Sequence, residues 1–132
     1  MPYLIDTDVL IDRLAGVEEA TGLLDRIAQD GIAISIVTYM EVYQGVLRAP
    51  DREAAERQLD EGLSSIPVLP LSRSVARRCA GLRETLKSER KRVNQRALDL
   101  IIAATAIDYQ LTLVTRNLND YADIAGLVLY TS

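Results

Sequence analysis

Apolar and polar positions alternate in a way that breaks the chain into short strands and amphipathic helices. YLID (3–6) predicts a strand, with a helix near residues 8–14 directly behind it. In VEEATGLLDRIAQD (17–30), Leu23, Leu24 and Ile27 recur at helical spacing, and Gly31 predicts the stop. IAISIV (32–37) reads as a second strand and TYMEVYQGVLRA (38–49) as a helix. REAAERQLDEGL (52–63) predicts a charged amphipathic helix, and IPVLPL (66–71) a strand bounded by prolines. A long helix begins near Ser72 and runs toward residue 90, followed by an apolar helix at roughly 95–110. A strand in LTLVT (111–115), a helical turn near 117–121 and a last strand in LVLY (127–130) complete the pattern. Strands that alternate with helices need crossover connections, so the order predicts an α/β fold with a parallel sheet between helical layers. No repeat, low-complexity tract or Gly/Ser linker divides residues 1–132, which read as one domain.

Composition narrows the chemistry. At 132 residues and 48% apolar, the chain is long enough for a single core and too apolar for disorder. Its longest apolar run, LIIAATAI (100–107), is too short to span a bilayer, and no basic stretch or cleavage site precedes Asp6, so neither a membrane span nor a leader is expected. The single Cys79 allows no internal disulfide and predicts a cytoplasmic setting. Histidine is absent. That excludes histidine triads, Cys–His dyads, His-ligated zinc and His-pair ribonuclease chemistry. Carboxylates are the main groups left, and clustered carboxylates suit Mg²⁺ or Mn²⁺.

The net charge of −4 hides a division. From Arg73 to Arg96 nine Lys/Arg face two Glu, a local +7, while the remaining residues hold six basic and 17 acidic side chains. A basic stripe beside an acidic remainder suits a metal-dependent nuclease, with phosphate drawn to one part and a cation to the other. Arg90, Lys91 and Arg92 are the densest part of the stripe and are assigned to RNA contact; a solvated helix face is the plain alternative.

In parallel sheets, sites form beyond the carboxyl ends of the strands. Asp6 ends the first strand, Glu41 lies in the first turn after the second, and Asn117 and Asp120 follow the fourth. Each has a structural reading as well. Asp6 or Asp8 could cap the first helix, with Asp8 favoured; Thr38 and Glu41 fit a capping box; Asn117 and Asp120 could cap the turn after the fourth strand. Asp12 is expected to face solvent. Asp99 differs from all of these, because it sits in ALDLIIAATAID within a helix apolar nearly all round. With a helix start near Asn94 or Gln95 it lies too deep to cap. It must then either pair with Arg96, one turn away, or serve a cation.

YLIDTDVLID at the N-terminus, TYMEVYQG after the second strand and LDLIIAATAIDYQLTLVTRNLNDY near the end together resemble PIN-domain ribonucleases, most of all the VapC toxins of bacterial and archaeal toxin–antitoxin pairs. The resemblance runs from about residue 3 to residue 130. It implies a PIN-like three-layer sandwich around a roughly five-stranded parallel sheet, and an endoribonuclease dependent on Mg²⁺ or Mn²⁺. It places the family's first three acids on Asp6, Glu41 and Asp99, and its last motif on Thr115, Arg116, Asn117 and Asp120. Asp6 and Asp99 would hold the metal, with Glu41 and the 117–120 loop in an outer shell or around a second ion. Thr115 and Arg116 would orient water and phosphate. Two positions depart from the pattern: Asn117 stands where many relatives carry aspartate, and Asp8 where asparagine is common. Either Asp120 supplies the outer carboxylate or Asn117 binds through water.

The resemblance also implies partners: an RNA substrate, a cognate antitoxin whose basic tail covers the acids, and a second copy of the chain. The helix with Tyr39, Met40, Val42, Tyr43, Val46 and Leu47 carries more apolar surface than one buried stripe requires, which fits a homodimer. Other readings fit less well. Asp-x-Asp also opens haloacid-dehalogenase phosphatases, but Leu10 stands where that motif needs Thr or Val. A receiver domain needs a lysine after its last strand, and Lys87 and Lys91 lie far upstream. A PIN scaffold that binds RNA or protein without cutting is the remaining alternative.

Overall fold

A computed structural model describes residues 2–131. The elements follow in the order β1 (Tyr3–Ile5), α1 (Thr7–Leu14), α2 (Glu18–Ile27), β2 (Ile32–Ser35), α3 (Ile36–Arg48), α4 (Arg52–Gly62), β3 (Val68–Leu69), α5 (Arg73–Ser88), α6 (Ala97–Asp108), β4 (Thr112–Val114), α7 (Leu118–Tyr121) and β5 (Val128–Leu129). The five strands form a parallel sheet ordered β3-β2-β1-β4-β5. This is the expected α/β sandwich, with strands shorter than the apolar runs that announced them.

Neighbouring strand residues point to opposite faces, and both faces are buried. Ile5, Ile34 and Val114 meet Val9 and Leu10 of α1, Leu24 and Ile27 of α2, Val42 and Val46 of α3, and Leu59 of α4. Leu4, Ala33 and Leu113 point the other way, into Val75, Cys79 and Leu86 of α5 and Leu100, Ile102, Ala103 and Ala106 of α6. Burial of each large strand side chain stabilises the fold by roughly 1.5–3 kcal/mol. Among the described residues no helix is long and apolar enough to cross a membrane.

From β1 the chain moves to β2 on one side, while β4 lies on the other. The crevice between β1 and β4 is therefore the topological switch point where α/β sheets bind ligands. Ile5 pairs with Val114, so Asp6 and Thr115 leave the sheet side by side.

Helix starts depart from the sequence reading at three places. Asp6, not Asp8, caps α1, accepting the Thr7 N–H at 2.8 Å. The cap must have extended backbone, and Asp6 has it (φ −69°, ψ 157°) whereas Asp8 is already helical. Ser35 caps α3, its Oγ accepting the Thr38 N–H at 3.1 Å, so the capping box of Thr38 and Glu41 does not form. A 3₁₀ turn (Asn94–Arg96) precedes α6, which starts at Ala97 and leaves Asp99 in the first turn. Gly31 ends the 3₁₀ extension of α2 as expected, at φ 104°, a conformation glycine adopts freely.

Candidate active site at the switch point

Asp6 is only 4% exposed, and both its oxygens are occupied. Oδ1 caps α1 and also lies 3.3 Å from the Tyr121 hydroxyl; Oδ2 accepts the Thr115 hydroxyl at 2.7 Å. Burial holds its carboxyl above the usual carboxylate range, against the lowering effect of the Thr115 and Thr7 bonds; the charges of Asp99 and Asp8 raise it further.

Asp99 reaches the same place from α6. The Tyr121 hydroxyl stands 3.3 Å from its Oδ1 as well, so one phenol bridges the two carboxylates. The phenol has a single proton and can satisfy only one of them at a time. Desolvation raises Asp99, the Tyr121 bond opposes this, and Glu41 and Asp120 add to the rise. Burial, then the two carboxylates, drive Tyr121 far above the usual phenol range. The pairing of Asp99 with Arg96 does not occur. Arg96 instead donates to both oxygens of Asp123, at 3.0 and 2.7 Å, and to the Asp120 carbonyl at 2.9 Å. Among the described residues no Lys or Arg forms an ion pair with Asp6, Glu41 or Asp99.

Glu41, on the second turn of α3, is half-buried; its Oε1 accepts the Thr7 hydroxyl at 2.6 Å. Thr7 lies 3.0 Å from Thr38 Oγ1, and the Ser35 hydroxyl donates to Thr38 Oγ1 at 3.5 Å. Sequence reasoning missed Thr7 and Tyr121, and gave Thr38 a role it does not have. Thr7 follows Asp6 directly, the one local signal available; Tyr121 reaches Asp6 across 115 positions and had none.

The loop after β4 binds α1. Asn117 Nδ2 donates to Asp8 Oδ2, and Arg116 Nε meets Asp12 Oδ2 at 3.2 Å, with Arg116 Nη2 4.0 Å from Asp8. Asp12 is thus paired rather than solvent-facing. Asp120 is exposed, and its influence on Asp99 is through charge. The basic segment 89–96 leads into the first turn of α6 beside Asp99. There Arg90, Lys91 and Arg92 are exposed, and Lys91 Nζ pairs with Asp123 at 3.0 Å.

The residues fit a hard divalent cation. Two oxygen-donor carboxylates share a mostly buried site and, among the described residues, neither forms an ion pair, although the charge of Arg96 acts on Asp99 from farther away. Among the described residues no three acidic groups stand close enough to hold an ion alone.

The chain matches the PIN domain family over residues 3–127. Ribonuclease VapC10 of Mycobacterium tuberculosis is 35% identical over 115 residues, covering 86% of this chain and 81% of that protein. Ribonuclease VapC2 of Rickettsia felis is 28% identical over 131 residues, covering 98% and 96%. In the crystal structure of VapBC2 from Rickettsia felis bound to a promoter DNA fragment, one chain matches with a TM-score of 0.88 at 26% identity over 98% of each chain. A toxin–antitoxin complex from Klebsiella pneumoniae gives 0.75 at 34% identity, over 98% and 99%. The chain belongs to the PIN domain family and, within it, to the VapC ribonucleases.

Proposed function

We propose that this chain is the toxin of a toxin–antitoxin pair, a cytoplasmic endoribonuclease that hydrolyses RNA phosphodiester bonds with Mg²⁺ or Mn²⁺ held at Asp6 and Asp99. One observation carries the reading: Asp6 and Asp99 flank one buried hydroxyl at the switch point, and among the described residues neither has an ion-pair partner. A divalent cation bound there supplies charge neutralisation for the phosphate and polarises water.

The protein's own groups have separate tasks. Thr115 and the Thr7 N–H hold both oxygens of Asp6, fixing its direction. Glu41 and Asp120 add negative charge on the Asp99 side, and Asp8 adds it on the Asp6 side. Arg116 is held by Asp12 through its Nε, which fixes the guanidinium while other N–H groups remain for phosphate. Arg90 and Arg92 are exposed and offer phosphate attraction from the segment that leads into α6. The family resemblance implies water as the nucleophile, and with it products that carry 5′-phosphate and 3′-hydroxyl ends.

The antitoxin is the second part of the proposal, since similar chains crystallise in VapBC and toxin–antitoxin complexes. An Arg or Lys from such a partner would meet an uncompensated acidic pocket and block it.

Asp99→Asn tests the enzyme reading. It should reduce cleavage of RNA by at least about a hundredfold while leaving the fold intact, because Asp99 holds no cation in the fold. Normal cleavage by folded Asp99→Asn would refute it. RNA binding without cleavage by the wild-type protein, with Mg²⁺ or Mn²⁺ present, would favour the scaffold alternative.

A further inference from the structure

We infer that Thr7 and Thr38 are positioning residues for Glu41, holding its carboxylate through a one-directional file of buried hydroxyls that begins on a backbone N–H. The inference rests on the ribonuclease reading above.

The direction of the file follows from counting protons. A carboxylate oxygen only accepts, so the single Thr7 hydroxyl proton goes to Glu41 Oε1, 2.6 Å away. Thr38 must then donate to Thr7 at 3.0 Å, and Ser35 to Thr38 at 3.5 Å. Ser35 Oγ is itself held by the Thr38 N–H. Each hydroxyl donates once and none is left over. Because the file starts on an amide inside the protein, it conducts no proton to solvent. It is an anchor.

Its parts come from three elements. Thr7 opens α1 directly after the cap Asp6, Ser35 ends β2, and Thr38 and Glu41 lie on α3. Ser35 and Thr38 are fully buried and Thr7 nearly so, so each needs its partners. Glu41 is a three-rotor side chain at the edge of the site, and its second oxygen has no hydrogen-bond partner among the described residues. Tying Oε1 down orders that side chain before substrate arrives and leaves Oε2 free for the site. Since Thr7 adjoins Asp6, Glu41 and Asp6 are placed against each other through one residue.

The test is a pair of double-mutant cycles on Thr7→Val and Glu41→Gln, one on RNA cleavage and one on urea denaturation. Thr7→Val should lower kcat about tenfold with little change in KM, and Thr7→Ser should recover most of the loss. Added to Glu41→Gln, Thr7→Val should lower kcat no further. Thr38→Val should show the same pattern more weakly, and carries the test if Thr7→Val does not fold. Wild-type kcat in folded Thr7→Val, or a loss that adds in full to that of Glu41→Gln, would overturn the inference. The stability cycle should show coupling between Thr7 and Glu41 whatever the reaction is. If the wild-type protein cuts no RNA, the ribonuclease reading and the positioning role fall together, with that coupling still present.

Discussion

Burial sets the energetics of the site, and the Tyr121 hydroxyl, with one proton for two carboxylates, offsets it only in part. The carboxyls of Asp6 and Asp99 are raised above 3.8, so their ionised forms are less stable in the fold than in the unfolded chain. That destabilisation is absent below pH 3.8, grows as pH rises past it, and is complete once pH exceeds the folded values. Asp99→Asn should therefore melt higher than wild type at pH 7, with the difference shrinking on acidification; melting curves across pH 4–7 check this. Asp123 has the opposite sign. Arg96 and Lys91 lower it to about 2, so its contribution is whole above 3.8 and lost as pH falls toward 2. Mg²⁺ or Mn²⁺ at pH 7 should raise the melting temperature, worth about 2.7 kcal/mol at a hundredfold excess over Kd. Chelation should reverse the rise, and Asp99→Asn should abolish it. The two departures from the family pattern, Asp8 and Asn117, touch each other. Exchanging them, as Asp8→Asn with Asn117→Asp, should restore the pair with its roles reversed. Either single change should lower stability by about 1 kcal/mol in urea denaturation.

At the scale of elements, α3 presents Ile36, Met40, Tyr43 and Leu47 at spacings of four, three and four, a coiled-coil-like stripe. Met40 is 45% exposed and Ile36 and Leu47 are similar, whereas Val42 and Val46 fill the core. The excess apolar surface legible in the sequence is therefore real and lies on one face. Tyr43 is a poor probe of it, since its hydroxyl already donates to Glu56. Met40→Glu is the cleaner one: if this stripe joins two copies, sedimentation at micromolar concentration should show a dimer that the substitution converts to monomer. A wild-type monomer would count against the dimer. Element type was readable throughout because apolar spacing determines it, but helix starts were not. Ser35 looked like strand and acts as cap, because a cap residue keeps extended backbone while its side chain serves the helix. Asp99 was recognised as special although its depth in α6 was misjudged by the length of a 3₁₀ turn.

Across the whole molecule, part of the basic segment is already engaged. Lys91 pairs with Asp123, Arg78 with Asp108, and Lys87 with Glu84, while Arg90 and Arg92 remain exposed without such partners among the described residues. Arg90→Glu with Arg92→Glu should weaken RNA binding and flatten its salt dependence, leaving Mn²⁺ affinity unchanged. Filter binding at several salt concentrations reads the first effect and calorimetry the second. Asp6 and Glu41 could be picked out because they follow strand ends, and Asp99 because it interrupts an apolar helix. Thr7, Thr115 and Tyr121 hold them through contacts between distant segments, which single-sequence periodicity does not encode; Thr115 came only from the family resemblance. The same distance matters during synthesis. Thr115 grips Asp6 across 109 positions, and Tyr121 across 115. A growing chain carries Asp6 and Glu41 long before β4 can pair with β1 and bring Asp6 its supports. A ribosome making this protein therefore holds an unfinished blade until the segment with Thr115 and Tyr121 has emerged, and Asp6 gains that grip only then.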